Sequence, residues 1–277
     1  MKQSLICLLV ALLVPVAVSA QTSTHDDVLT TTTTSGVPSI LDGLHIIAGI
    51  HSWVDSGRVS ELQSQTGNEE TSLTEYFFGV KNAAGWGVYG QAVENQTAKW
   101  NSSQNTFLPG DPSISITHPI YDSPTLKMSG KFREYFQVSN WAVTNHVYQQ
   151  AYYLESLYLM KHKWEMFNLL IPRYFSQPSY AAGDTTIYGE DWTYVGNRIN
   201  QWLRVGVGQH AQVESHFQTP VGKDWDIFPY ADFMASNSIY LGPRIYFPIY
   251  AQNSVFEGDK GVSLSNVTFE LYLQAHL

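Results

Sequence analysis

The sequence predicts an all-β chain: a transmembrane up-and-down antiparallel β-barrel of about twelve strands, with short periplasmic turns and longer outer loops. Three observations predict it. First, residues 266–277 alternate strictly. Val267, Phe269, Leu271, Leu273, Ala275 and Leu277 fall on one face, and Thr268, Glu270, Tyr272, Gln274 and His276 on the other. That is the period of a strand, whose successive side chains point to opposite faces. The apolar face runs to the final residue, so the strand needs a partner on both edges, and closing a barrel provides one. Second, the connections between strand-like stretches alternate between short and long. Third, charged residues make up only 14% of the chain and aromatics another 14%. A soluble domain carries roughly 25% charge, whereas a membrane barrel shows one face of every strand to lipid and girdles itself with aromatics.

Taken in order, residues 1–20 carry Lys2, an apolar run from Leu5 to Val18, and the small residues Ser19 and Ala20. This is the layout of a secretory signal peptide cleaved after Ala20, rather than a membrane anchor, because Pro15 interrupts the run and no basic flank follows. Cys7 is the only cysteine and lies inside the run. Residues 21–42 form a polar leader with five threonines at 30–34, too poor in apolar side chains to order itself. A plug folded into the lumen is the other reading of this leader. The barrel domain occupies 43–277, with strands expected at 43–55, 72–81, 85–94, 112–121, 125–138, 146–160, 163–175, 186–196, 201–217, 223–234, 239–251 and 262–277. The connections after the even strands are short, and those after the odd strands are mostly longer. An even count puts both ends of the barrel at the short-turn rim.

The C-terminal stretch resembles the closing strand of bacterial outer-membrane β-barrel proteins, which alternates and ends on a bulky apolar residue. That class prefers Phe or Trp at the last position, where this chain has Leu277. The resemblance implies a place in the outer membrane of a Gram-negative bacterium, contact with its lipid, and recognition of the C-terminal strand by the barrel-assembly machinery. The net charge of −9 argues against nucleic acid, whose phosphates require basic surface.

The faces can be read strand by strand. In 239–251, Ile239, Leu241, Pro243, Ile245, Phe247 and Ile249 oppose Tyr240, Gly242, Arg244, Tyr246, Pro248 and Tyr250, with one proline expected to mark a bulge. In 125–138, Glu134 falls on the apolar face and needs an interface or a register break. Leu154 and Glu155 leave 146–160 undecided. The polar faces carry the candidate lumen-lining residues: Lys127, Lys131 and Arg133 on the fifth strand, Arg204 and Glu214 on the ninth, Asp226 and Asp232 on the tenth, Arg244 on the eleventh and Glu270 on the twelfth. Inward charges of this kind can set a transverse field that filters solutes, or can neutralise one another in a filled lumen. A channel for small polar solutes is the first functional reading. The alternatives are an outer-membrane barrel enzyme, phospholipase- or protease-like, and a soluble secreted β-sandwich that binds carbohydrate. Nine histidines are present, but no Ser or Asp stands at a spacing that picks out a catalytic pair. His210, Glu214 and His216 share a face and could meet through water or hold a metal, though lumen polarity accounts for them. No catalytic, metal or cofactor site is assigned.

Overall fold

The computed structural model describes residues 43–58, 69–99, 105–236, 238–253 and 260–276. The expected signal peptide and polar leader, and Leu277, lie outside these residues. Fourteen strands form one sheet: β1 (His45–Arg58), β2 (Glu69–Lys81), β3 (Gly87–Lys99), β4 (Asn105–Pro109), β5 (Ser113–Asp122), β6 (Leu126–Tyr135), β7 (Tyr148–Leu159), β8 (Trp164–Ser176), β9 (Thr185–Asn200), β10 (Leu203–His216), β11 (Gly222–Ser236), β12 (Ile239–Gln252), β13 (Lys260–Gly261) and β14 (Thr268–His276). Twelve of them make an antiparallel barrel, which β14 closes by pairing β12 on one edge and β1 on the other. Closure gives each of the twelve barrel strands a neighbour on both sides. The single closed sheet rules out the two-sheet sandwich.

The two remaining strands lengthen the rim. β4 pairs the far end of β3 and β13 pairs the far end of β12, both on the long-loop side. Sequence reading placed loops there. A third correction is a helix, α1 (Asn140–Asn145), between β6 and β7. Ser139 caps it by accepting a bond from the Ala142 amide, which satisfies one of the first turn's free donors. The fifth expected strand therefore stops at Tyr135 rather than Val138, and the last begins at Thr268 rather than 262. Val267 is buried at the end of a short 3₁₀ turn instead of facing outward.

Burial alternates along the strands as one inward and one outward face require. On β14, Phe269, Leu271 and Leu273 are exposed and Glu270 is buried. On β12 the alternation holds to Pro248 and then breaks: Trp225 pairs Tyr250 while Asp226 pairs Pro248, so Ile249 is the extra residue of a bulge. The bulge turns Tyr250 outward, where alternation alone put it inside. Glu134 lies one residue before the long-loop end of β6, opposite Ile114 and Gln150. On β7 the register sets Leu154 outward beside Gly130 and Leu170, and leaves Glu155 inside. The outward apolar band is edged by exposed aromatics. Trp86, Trp164 and Trp202 stand at the short-turn rim, and Tyr148, Tyr174 and Trp225 toward the long loops, the two girdles expected where a barrel wall meets water on both sides.

Candidate functional site: the inner wall

The inner wall is built around arginines laid along the sheet. Arg133, only 4% exposed, projects inward from β6. Ser115 on β5 and Gln91 on β3 are small or flexible enough to let it lie flat across two strands. Its Nε donates to Ser115 Oγ at 3.3 Å and one guanidinium nitrogen donates to Glu75 Oε1 on β2 at 3.2 Å. Gln91 Nε2 donates to the other Glu75 oxygen at 3.1 Å. The same arginine donates to Tyr135 Oη and lies over the Tyr153 ring, 4.5 Å from its centre. The Tyr135 and Tyr153 hydroxyls meet at 2.8 Å, and Arg173 on β8 donates to Tyr135 Oη at 3.1 Å. Arg173 then pairs Glu190 on β9 at 2.7 Å, and Trp192 Nε1 donates to that carboxylate at 2.8 Å. One chain of charge-assisted hydrogen bonds thus runs from β2 round to β9.

Two further arginines complete the belt. Near the short-turn rim, Arg204 on β10 bonds Asp232 on β11 at 2.5 Å and Glu165 on β8 at 2.7 Å. On the closing side, Arg244 and Glu270 are direct cross-strand partners at 2.8 Å, and Tyr246 Oη donates to the same oxygen at 3.2 Å. Arg244 lies over the rings of Tyr272, Tyr194 and Phe228, with its guanidinium 4.7, 5.2 and 5.9 Å from their centres. Phe228 is fully buried because its cross-strand partner on β10 is Gly208, and its ring occupies the space a side chain there would take. Tyr230 lies over Gly206 in the same way.

Toward the long loops the wall becomes acidic. Glu214 is 1% exposed and touches His216 Nε2 at 3.0 Å directly, with no need of a bridging water. Asp224 is buried and Asp226 half-buried on the adjacent β11. The His210 ring stacks on Trp192 at 3.6 Å between centres, with Nε2 3.8 Å from Glu190. Among the described residues no group of three or more His, Cys, Asp or Glu is placed to hold a metal.

Arg133, Glu214, Asp232, Arg244 and Glu270 are therefore buried, while Lys127, Lys131, Arg204 and Asp226 are half-buried. Two cations of the fifth expected strand lie against acids on other strands. Arg133 has Glu75, and Lys131 lies 3.7 Å from Glu155 and over the Tyr153 ring. Sequence reasoning missed the partners Glu75, Glu155, Glu165, Arg173 and Glu190. Glu75 and Arg173 had a readable signal, an isolated charge at an alternate position in an apolar strand.

No protein-family model matches this sequence, and no curated protein does. Among solved structures, the chain resembles an outer-membrane channel from Pseudomonas putida F1 with a TM-score of 0.58 at 7% identity, covering 89% of this chain and 100% of that one. The chain has the fold of a bacterial outer-membrane β-barrel. Weaker likenesses are to the outer-membrane channel DcaP of Acinetobacter baumannii (TM-score 0.39, 9% identity, 85% of this chain and 98% of that one) and to a loop-deletion mutant of OmpT, an outer-membrane protein of Vibrio cholerae (0.42, 4%, 84% and 99%).

Proposed function

We propose that the chain is an outer-membrane channel through which small polar solutes pass passively. The observation that carries this reading is the inverted polarity of the sheet. Its outward face is an apolar band edged by aromatics, and its inward face holds four arginines with their acids. A soluble barrel fills its interior with apolar side chains and shows water its polar ones. This one does the reverse, which suits lipid outside and water inside. The likeness to a solved outer-membrane channel supports the same reading. Residues 1–20 act as the export signal, and the β14 end as the part the barrel-assembly machinery engages.

In this reading the passage runs along one side of the lumen. Phe228, Tyr230, Tyr240 and Tyr246 are at most 8% exposed, so the β11–β12 wall is closed by its own side chains. His51, Trp53, Glu75, Phe77 and Tyr89 on β1–β3 are only half-buried, and the solute path runs along them. Planar-bilayer recording of the purified protein tests the proposal. Discrete conductance steps are expected, and a folded barrel that never conducts would overturn it.

A further inference from the structure

On the outward face of β8–β11 a group of polar side chains stands where the membrane reading requires apolar ones. Alternation is unambiguous here. Met166, Leu170 and Tyr174 on β8, Ile187 and Ile199 on β9, Val205, Val207 and Val213 on β10, and Phe233 on β11 are all exposed. Asn168, Asp191, Thr193, Gln209 and Trp225 share their faces. Register sets Asn168, Thr193 and Gln209 side by side, with Leu170, Asp191, Ala211 and Trp225 in the next row. The side chains are linked. Asn168 Nδ2 donates to Asp191 Oδ1 at 2.5 Å and to Thr193 Oγ1 at 2.9 Å, Gln209 Nε2 donates to Asp191 Oδ2 at 3.3 Å, and Trp225 Nε1 donates to Gln209 Oε1 at 3.3 Å.

The patch lies well inside the apolar band. Asn168 is four residues above Trp164 and six below Tyr174, the aromatics that mark the two edges on its own strand. A carboxylate and two primary amides at that depth are costly against hydrocarbon, and intramembrane acids ordinarily face protein or water. Among the described residues, the outward lysine of β11, Lys223, is two strands from Asp191 and nearer the rim, so it does not neutralise it.

We infer that a second copy of this chain covers the patch, the two barrels packing through the outward faces of β8–β10. The inference rests on the membrane placement proposed above and is independent of whether the lumen conducts. Two features favour a second copy over a different partner. A two-fold axis along the membrane normal keeps each patch at its own depth, so polar rows meet polar rows without further adjustment. Primary amides also carry both donors and acceptors, which makes the surface complementary to itself. Gly189, Thr193 and Ala211 keep the wall low here, so that two sheets can approach closely.

The test is cross-linking in native membranes. Thr193→Cys is a small change at the centre of the patch. Leu271→Cys, outward on β14, is the control, and the parent chain controls for Cys7. Heat-modifiable migration and the need for detergent establish, for each variant, that a barrel has formed in the membrane. Thr193→Cys is expected to give a disulfide-linked species of twice the chain mass, and Leu271→Cys to stay single. Adding Asn168→Leu and Gln209→Leu to the Thr193→Cys chain should abolish the cross-link and leave the heat shift intact. A membrane-embedded Thr193→Cys barrel that stays single, cross-links equally at Leu271→Cys, or joins to a different protein would overturn the inference. Extraction without detergent would instead overturn the membrane placement on which it rests.

Discussion

Replacing Glu75 with Gln removes a charge without changing shape, and the structure sets the cost. Glu75 takes hydrogen bonds from Arg133 at 3.2 Å and Gln91 at 3.1 Å. Arg133 is 4% exposed, held between Ser115, Tyr135 and the Tyr153 ring, and cannot swing into water without losing all three. Glu75→Gln therefore leaves a buried cation without its counter-ion, which costs about 3–5 kcal/mol, or roughly two to four powers of ten in the folded-to-unfolded ratio. An exposed pair would cost only about 0–1 kcal/mol. The double variant Glu75→Gln/Arg133→Met removes both charges and should recover most of the loss. Urea unfolding of barrels refolded into lipid vesicles measures all three proteins. A single-variant cost below about 1 kcal/mol would mean that Arg133 is hydrated. A double variant no better than the single would mean that the pair is not what holds this wall.

Other consequences follow from the same geometry. Leu271→Arg puts a charge on the outward face near mid-strand and should cost about 2–4 kcal/mol and block assembly, whereas Gln274→Arg on the inner face should assemble normally; the heat-modifiable fraction in membranes reads both. Gly208→Ala sets a methyl group into the Phe228 ring and should cost about 1–3 kcal/mol. Gly90→Ala, whose added carbon meets only the Ser113 carbonyl at 3.9 Å, should be near neutral in the same unfolding experiment. Changing Lys127, Lys131 and Arg133 together to Gln takes the Arg133 and Lys131 cations from Glu75 and Glu155 and should shift the reversal potential in a salt gradient toward cation preference.

How much of this was legible in the sequence depended on how local the signal was. β14 and the first part of β12 declare their faces through alternation, because one side must be apolar for their whole length. The bulge at Ile249 was half-visible: Pro248 marked the place, but which residue dropped out depends on pairing with Trp225 and Asp226 in another strand. β4 was invisible, since its described side chains are exposed and need no alternation, and β13 is only two residues long. α1 spans six residues, too few to show helical periodicity, although Ser139 ahead of it was a readable cap. The arginines could be found as charges at alternate positions. The acid of Arg133 could not be matched to it, because Arg133 reaches Glu75 across two intervening strands, 58 residues away. Such a partner is fixed by the stagger of the closed sheet, which no single strand encodes.

The central claim is that apolar side chains of one sheet face lipid while the alternate ones face water inside it. Single spin labels placed in turn at positions 269 to 274 of β14 test it most directly, by comparing collisions with oxygen, which concentrates in lipid, and with a water-soluble nickel chelate. The account predicts a period of two. Labels at Phe269, Leu271 and Leu273 collide with oxygen, and labels at Glu270, Tyr272 and Gln274 with the chelate. Uniform access of the chelate to all six positions, or its exclusion from all six, would contradict it.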